Sequence, residues 1–214
     1  MSNFQTCSLV GSCWVEKMNR IAKRVAARHA KRAYLIGAPT QVHVAQSVLL
    51  SVLSSMVGVR MIHWTAHWTA KGEGFYGDHE LFMRLYETMT PEIDQLAEKC
   101  IGMFGSVAVD PFNLVAKEAQ HIDRFKSLDD IYKRSLAAEE DLQVTLRTCY
   151  DVLKQMNAMS LGLDDYIMSV ANTHETHTYL LQQRIASEAG RPGIEKPPYD
   201  FSLVGAPSEQ GDLK

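Results

Sequence analysis

Cysteine is scarce in this chain. Its 214 residues hold four, Cys7, Cys13, Cys100 and Cys149, with no Cys-x-x-Cys pair. Small secreted scaffolds depend on dense cysteine pairing, so a disulfide framework is excluded and free thiols in a reducing compartment are expected. A long uninterrupted apolar run is also missing. The most apolar stretch, residues 44–59, is broken by Gln46, Ser47, Ser51, Ser54 and Ser55, whereas a membrane span needs about 20 predominantly apolar residues. It reads as the core face of a helix, and no membrane span is expected. No apolar block follows the first basic cluster, as a secretory signal would require. Period-two alternation is nearly absent, so almost no strand is expected. The net charge is only −3, which argues against a uniformly basic nucleic-acid binder. What remains is 46% hydrophobic residues in a chain long enough for one domain, a composition that can bury a globular core.

Charge is nevertheless unevenly placed. Residues 1–41 carry Lys17, Arg20, Lys23, Arg24, Arg28, Lys31 and Arg32 against Glu16, a sum of +6, and the remainder sums to −9. On a helical wheel the basic side chains cover roughly half the circumference. Trp14, Val15, Met18, Ala22, Val25 and Ala26 fall mostly on the other half. Three readings of this amphipathic basic helix stand. It is a solvated helix packed on its own domain, a phosphate-contacting arm for nucleic acid, or a membrane-surface or organelle-targeting helix.

Residues 37–40, Gly-Ala-Pro-Thr, break that pattern. Periodicity then predicts four long helices: 42–69, 76–104, one from 128 or 135 to 159, and 164–189. Lys71-Gly72-Glu73-Gly74 joins the first pair, and Leu161-Gly162-Leu163 the last. Residues 105–127 form a crossover with room for a short helix at 112–120. Pro91 falls inside the second helix and predicts a kink. The tail from Gly190 holds four of the seven prolines and reads as disordered or draped on the surface. The expected fold is all-α, a ferritin-like four-helix bundle with a long crossover between helices 2 and 3 and an extra N-terminal basic helix. Its parts are a basic arm at 1–41, the bundle at 42–189 and the tail at 190–214.

The histidines carry the chemistry. His63 pairs with His67, His174 with His177, and His79 follows the glycine loop. On the second helix His79, Met83, Asp94 and Glu98 fall within about 100° of one another, one stripe expected on the core side. Imidazole and carboxylates are costly to bury unless paired, and a metal ion is one partner. Together they suit iron, zinc or manganese rather than copper–thiolate chemistry. At about 1.5 Å of rise per residue, His79 and Asp94 lie roughly 22 Å apart along the axis. One chain therefore cannot bring both to one ion. His67 and His79 can converge across the glycine loop, and Asp94 and Glu98 share a face. These are two half-sites, and they form a whole site only where two chains meet antiparallel across a twofold axis.

The run His67-Trp68-Thr69-Ala70-Lys71-Gly72-Glu73-Gly74-Phe75 resembles the His-Trp-Asn-x-Lys-Gly-x-x-Phe signature of the Dps family, the DNA-binding proteins from starved cells or mini-ferritins. His79-Glu80-Leu81-Phe82, then Tyr86, Asp94, Ala97 and Glu98, are similar to that family's second helix. The detailed match spans roughly residues 60–100, and the helix order extends it to about 40–189. The resemblance implies a hollow homo-oligomeric shell, a dodecamer built from twofold dimers. It implies oxidation of Fe(II) by hydrogen peroxide or oxygen, storage of the ferric iron, protection from oxidative damage, and a place in the bacterial cytoplasm or nucleoid. The implied iron ligands are His67 and His79 from one subunit, with Asp94 and Glu98 from its twofold mate. DNA contact would fall to Lys17, Arg20, Lys23, Arg24, Arg28, Lys31 and Arg32.

One position departs from the family pattern. The aspartate expected four residues after the second histidine is Met83 here, and a thioether is a poor ligand for hard iron. Asp78 lies about 100° round the helix from His79 and is no obvious substitute, which leaves Glu80 or water to fill in. Two alternatives follow: a non-catalytic DNA-compacting assembly, and a structural or interaction module on the same bundle. Among the remaining histidines, His63 is expected to be a packed, hydrogen-bonded core residue. His174 and His177 are spaced as two ligands on one face, but an intra-subunit di-iron centre asks for Glu-x-x-His on two helices. Neither the second nor the fourth helix offers that motif. Cys7 and Cys13 with His29 are a further zinc candidate.

Overall fold

The computed structural model describes residues 39–188. The basic stretch, Cys7, Cys13, His29 and the proline-bearing tail lie outside the described residues. Within them the helices are α1 (Pro39–Thr69), α2 (Phe75–Phe104), α3 (Pro111–Asp123), α4 (Ile131–Gln155) and α5 (Leu161–Glu188), with a 3₁₀ turn at Ser106–Ala108 and no strand. The four long helices come in the expected order, and α3 lies on the crossover between α2 and α4, but Leu161-Gly162-Leu163, expected as the last link, forms the first turn of α5, and residues 156–160 make the link.

Local chemistry sets the boundaries. α1 opens at Pro39, where a missing backbone N–H costs nothing in the first helical turn. The Asp110 side chain caps α3 by accepting from the Asn113 N–H, with Pro111 in the first turn. Asp130 caps α4 by accepting from the N–H groups of Tyr132 and Lys133, which is why that helix starts at Ile131. Proline removes one backbone donor, and α2 continues through Pro91 as a single element.

Each long helix buries a seam of residues spaced four or three apart, the spacing that keeps one face toward its neighbours. On α1 the seam is Ala45, Leu49, Val52, Met56, Val59, His63 and Ala66. On α4 it is Ser135, Glu139, Leu142, Leu146, Cys149 and Leu153, and on α5 Leu163, Ile167, Val170, His174, His177 and Leu181. On α2 it is Asp78, Phe82, Leu85, Met89, half-buried Glu92, Leu96 and Cys100. α1 lies centrally, against α2, α4 and α3, while α4 packs on α5. Gly58 lets α3 approach closely, since a Cβ there would meet the His121 ring at 2.8 Å. By length and composition alone Gln41–Thr69 could cross a membrane. Here it supplies the central wall of the bundle, as its interrupted apolar pattern predicts. Cys100 and Cys149 are free and buried in the core, and burial pushes their thiols up to about 11 and about 12.

Candidate metal centres

Residues 70–74 reverse the chain between α1 and α2. Gly72 takes a φ of 94° there, a conformation side-chained residues rarely adopt. The reversal brings His67, in the last turn of α1, against His79, in the first turns of α2. Their rings stack with centroids 3.7 Å apart. Each ring is fixed by the other residue's backbone. His67 Nδ1–H donates to the His79 carbonyl at 2.9 Å, and His79 Nδ1–H donates to the His67 carbonyl at 3.1 Å. A carbonyl only accepts, so both Nδ1 atoms carry a hydrogen, and Nε2 is the nitrogen of each ring that the backbone leaves open. Metal-ligating imidazoles are held this way, the outer hydrogen bond fixing tautomer and orientation. Phe75 packs beside His79 at 5.2 Å, and Tyr86 stands edge-on to His67 at 5.3 Å.

Asp94 and Glu98 lie further along α2, one turn apart and both exposed. The expected core-side stripe is therefore corrected. The core face of α2 is the seam through Met89, Glu92 and Leu96, and Asp94 and Glu98 turn out of it, because an unpaired carboxylate is too costly to bury. Among the described residues neither has an ion-pair partner. The chain brings the two histidines together and the two carboxylates together, and it keeps the pairs apart. Met83, one turn beyond His79, is half-buried. Asp78 cannot replace the missing ligand, because it is already engaged. Its carboxylate accepts from Arg184 Nε at 2.5 Å, from Arg184 Nη2 at 3.0 Å and from the Tyr132 hydroxyl at 2.6 Å. Burial would raise this carboxyl, but the Arg184 and Tyr132 hydrogen bonds outweigh burial and hold it below its ordinary range. The basic residues 17–32 lie outside the described residues.

A second cluster lies wholly inside the bundle. His63 is fully buried and hydrogen-bonded, as expected, and its partner is Glu139, which the sequence reading missed. Glu139 is itself fully buried. It accepts from His63 Nε2–H at 2.7 Å, from His174 Nδ1–H at 2.5 Å and from His177 Nδ1–H at 3.1 Å. The other nitrogen of His174 donates to Glu92 at 3.1 Å. Burial would neutralise both partners, but the His174 imidazolium and the hydrogen bonds hold the Glu139 carboxyl well below its usual range. The same pairing, with Glu92, raises His174. Burial outweighs the Glu139 hydrogen bond at His63 and lowers it, so that ring is neutral. The signal for this cluster was present in the sequence: Glu92 and Glu139 occupy seam positions where the spacing calls for apolar side chains.

No family model matches the sequence, and no curated protein matches it. Solved structures do. Dps from Mycobacterium smegmatis superposes with a TM-score of 0.61 at 17% identity, over 82% of this chain and 95% of its own. Dps from Thermosynechococcus elongatus gives 0.58 at 18% identity, over 70% and 96%. The chain has the Dps subunit fold. Dps from Vibrio cholerae O1, described as a member of a broad superfamily of ferritin-like diiron-carboxylate proteins, gives 0.57 at 16% identity, over 68% and 91%. The ferritin-like bundle read from the helix order is thereby borne out. Identity below one fifth speaks for the backbone, so a functional reading must stand on the side chains.

Proposed function

We propose that this chain is the subunit of a Dps-like mini-ferritin. It takes Fe(II) as substrate at a site shared by two antiparallel subunits, oxidises it and stores the ferric product inside a hollow, dodecameric shell. The observation that carries this reading is the stacked His67–His79 pair, with both Nδ1 atoms tied to backbone carbonyls and both Nε2 atoms left open. Asp94 and Glu98 of the facing chain supply the carboxylates, which have no partner of their own among the described residues. Each Fe(II) gives up one electron, and two of them reduce one hydrogen peroxide, whose O–O bond breaks to give two hydroxides. The side chains hold neutral nitrogens and charged oxygens where the cation's charge rises. Removing peroxide and Fe(II) together protects the bacterial cytoplasm, and Lys17, Arg20, Lys23, Arg24, Arg28, Lys31 and Arg32 supply contact with DNA phosphates.

Two measurements test this. The full chain is expected to elute far above its 24.0 kDa subunit mass, because a half-site in each monomer demands a twofold partner. His67→Ala and Asp94→Asn are each expected to slow peroxide-driven Fe(II) oxidation strongly while leaving the helical content unchanged. A monodisperse monomer, or an unchanged rate in His67→Ala, would overturn the reading. Met83 favours one second reading, a shell that has lost oxidation and retains DNA compaction. In that case the full chain retards DNA with steep salt dependence and leaves Fe(II) unoxidised.

A further inference from the structure

The bundle core holds a group that iron oxidation at the subunit surface does not use. His63 on α1, Glu92 on α2, Glu139 on α4, and His174 and His177 on α5 converge from all four long helices. We propose that this cluster is a second, intra-subunit metal site for one divalent first-row transition ion, with His63, His174, His177 and Glu139 as its principal ligands. The proposal does not rest on the His67–His79 reading.

Four observations carry it. The first is placement. These residues occupy seam positions that elsewhere hold leucine, valine and methionine, and bundle cores are where cofactor and metal sites are built. The second is proximity. One ligand atom from each of Glu139, His174 and His177 lies within 4.8 Å of the others, and His63 Nε2 is 2.7 Å from Glu139 Oε1. Small side-chain rotations bring such atoms onto one ion. The third is an unmet need. His63 is fully buried, yet its Nδ1 has no hydrogen-bond partner. Its Nε2–H is engaged by Glu139, so Nδ1 is the nitrogen that keeps a lone pair for an ion, and a partly satisfied buried network is costly. The fourth is charge. His174 lies between two carboxylates, Glu139 at one ring nitrogen and Glu92 at the other, and Glu139 also faces His63 and His177. A divalent cation is the natural counter-charge for two carboxylates gathered among imidazoles.

The donor set names the ion class. Three imidazole nitrogens with carboxylate oxygen suit Zn(II), Fe(II), Co(II) or Ni(II), whereas calcium and magnesium prefer all-oxygen sites. Glu92 is 15% exposed while His174, which it touches, is fully buried, so Glu92 marks the way in from solvent. The set differs from the paired Glu-x-x-His pattern of di-iron bundles, and its single shared carboxylate between three histidines points to one ion.

The test uses the assembled full chain in a His67→Ala, His79→Ala background, so that surface binding and core binding are separated. Metal-stripped protein is titrated with Zn(II), and crystals grown with Zn(II) are read for anomalous scattering at the zinc edge. We expect about one retained Zn(II) per subunit and a peak between Glu139, His174 and His177. Glu139→Gln and, separately, His177→Ala are expected to reduce retained metal at least tenfold. The crystal reading needs no change to the core ligands, so it stands even if those variants fail to fold. An absent peak at the bundle centre, or full retention in folded Glu139→Gln, overturns the proposal. If His67→Ala also leaves iron oxidation unchanged, only the surface reading falls.

Discussion

His63 and His67 sit one helical turn apart on α1, and the chain treats their clusters in opposite ways. At the surface end, backbone carbonyls take the Nδ1 hydrogens and the Nε2 atoms of His67 and His79 are left open. In the core, carboxylates take the hydrogens, and Glu139 gathers three imidazoles around itself. What a histidine can do is thus set by the partner of each nitrogen, and depth alone does not choose it, since His67 is buried as His63 is. A buried polar group must be satisfied within its own subunit, and at His67 and half-buried His79 the backbone does so through Nδ1 alone. A third histidine sharpens the contrast. His121 is buried like His174, but its neighbour at Nδ1 is the Arg124 guanidinium. An arginine can only donate, so this ring is held neutral, and burial with Arg124 pushes it down to about 4 against the opposing pull of Asp141.

The largest effect is expected from Glu139→Ala. It removes the acceptor shared by three buried imidazoles, and breaking a buried pair from one side costs about 3–5 kcal/mol. Urea unfolding of chelator-treated protein at fixed subunit concentration measures it. His67→Ala in the same assay is expected to cost far less, and equal losses would erase the distinction between core and surface clusters. Acid should act next, through His121. Its folded value of about 4 lies below its ordinary 6.5, so the unfolded chain takes up the proton first as pH falls. The stability tied to a neutral His121 is complete above pH 6.5 and is lost progressively down to about pH 4. His121→Gln is expected to flatten that part of the stability–pH curve, and an unchanged curve would show that the ring is not held neutral. A smaller gain is expected at the surface. Met83→Asp adds a hard oxygen one turn from His79, and Fe(II) affinity is expected to rise roughly tenfold, about 1.4 kcal/mol, by calorimetric titration without oxidant. No change would mean that Met83 does not face the site. The smallest effect belongs to Tyr132→Phe. It deletes one of the hydrogen bonds on Asp78 but leaves Arg184 in place, for a loss of about 1 kcal/mol.

Much of this was legible in the residue string. The order of the helices and their approximate lengths follow from local periodicity, whereas the starts of α3 and α4, read only as 112 and as 128 or 135, are set by the Asp110 and Asp130 caps. The meeting of His67 with His79 follows from a short reversal between two helices, and the separation of His79 from Asp94 from helical rise alone. These are statements about neighbours along the chain, where backbone geometry leaves little choice. The outward turn of Asp94 and Glu98 required knowing which side of α2 meets α1, because a wheel gives angles on a helix and not the direction of the core. The joining of His63 to Glu139, 76 residues away, required knowing which seams face each other. That pairing is set by the simultaneous packing of four helices, in which a carboxylate taken from water must end beside the imidazoles that satisfy it, and no local pattern encodes which helix will bring them.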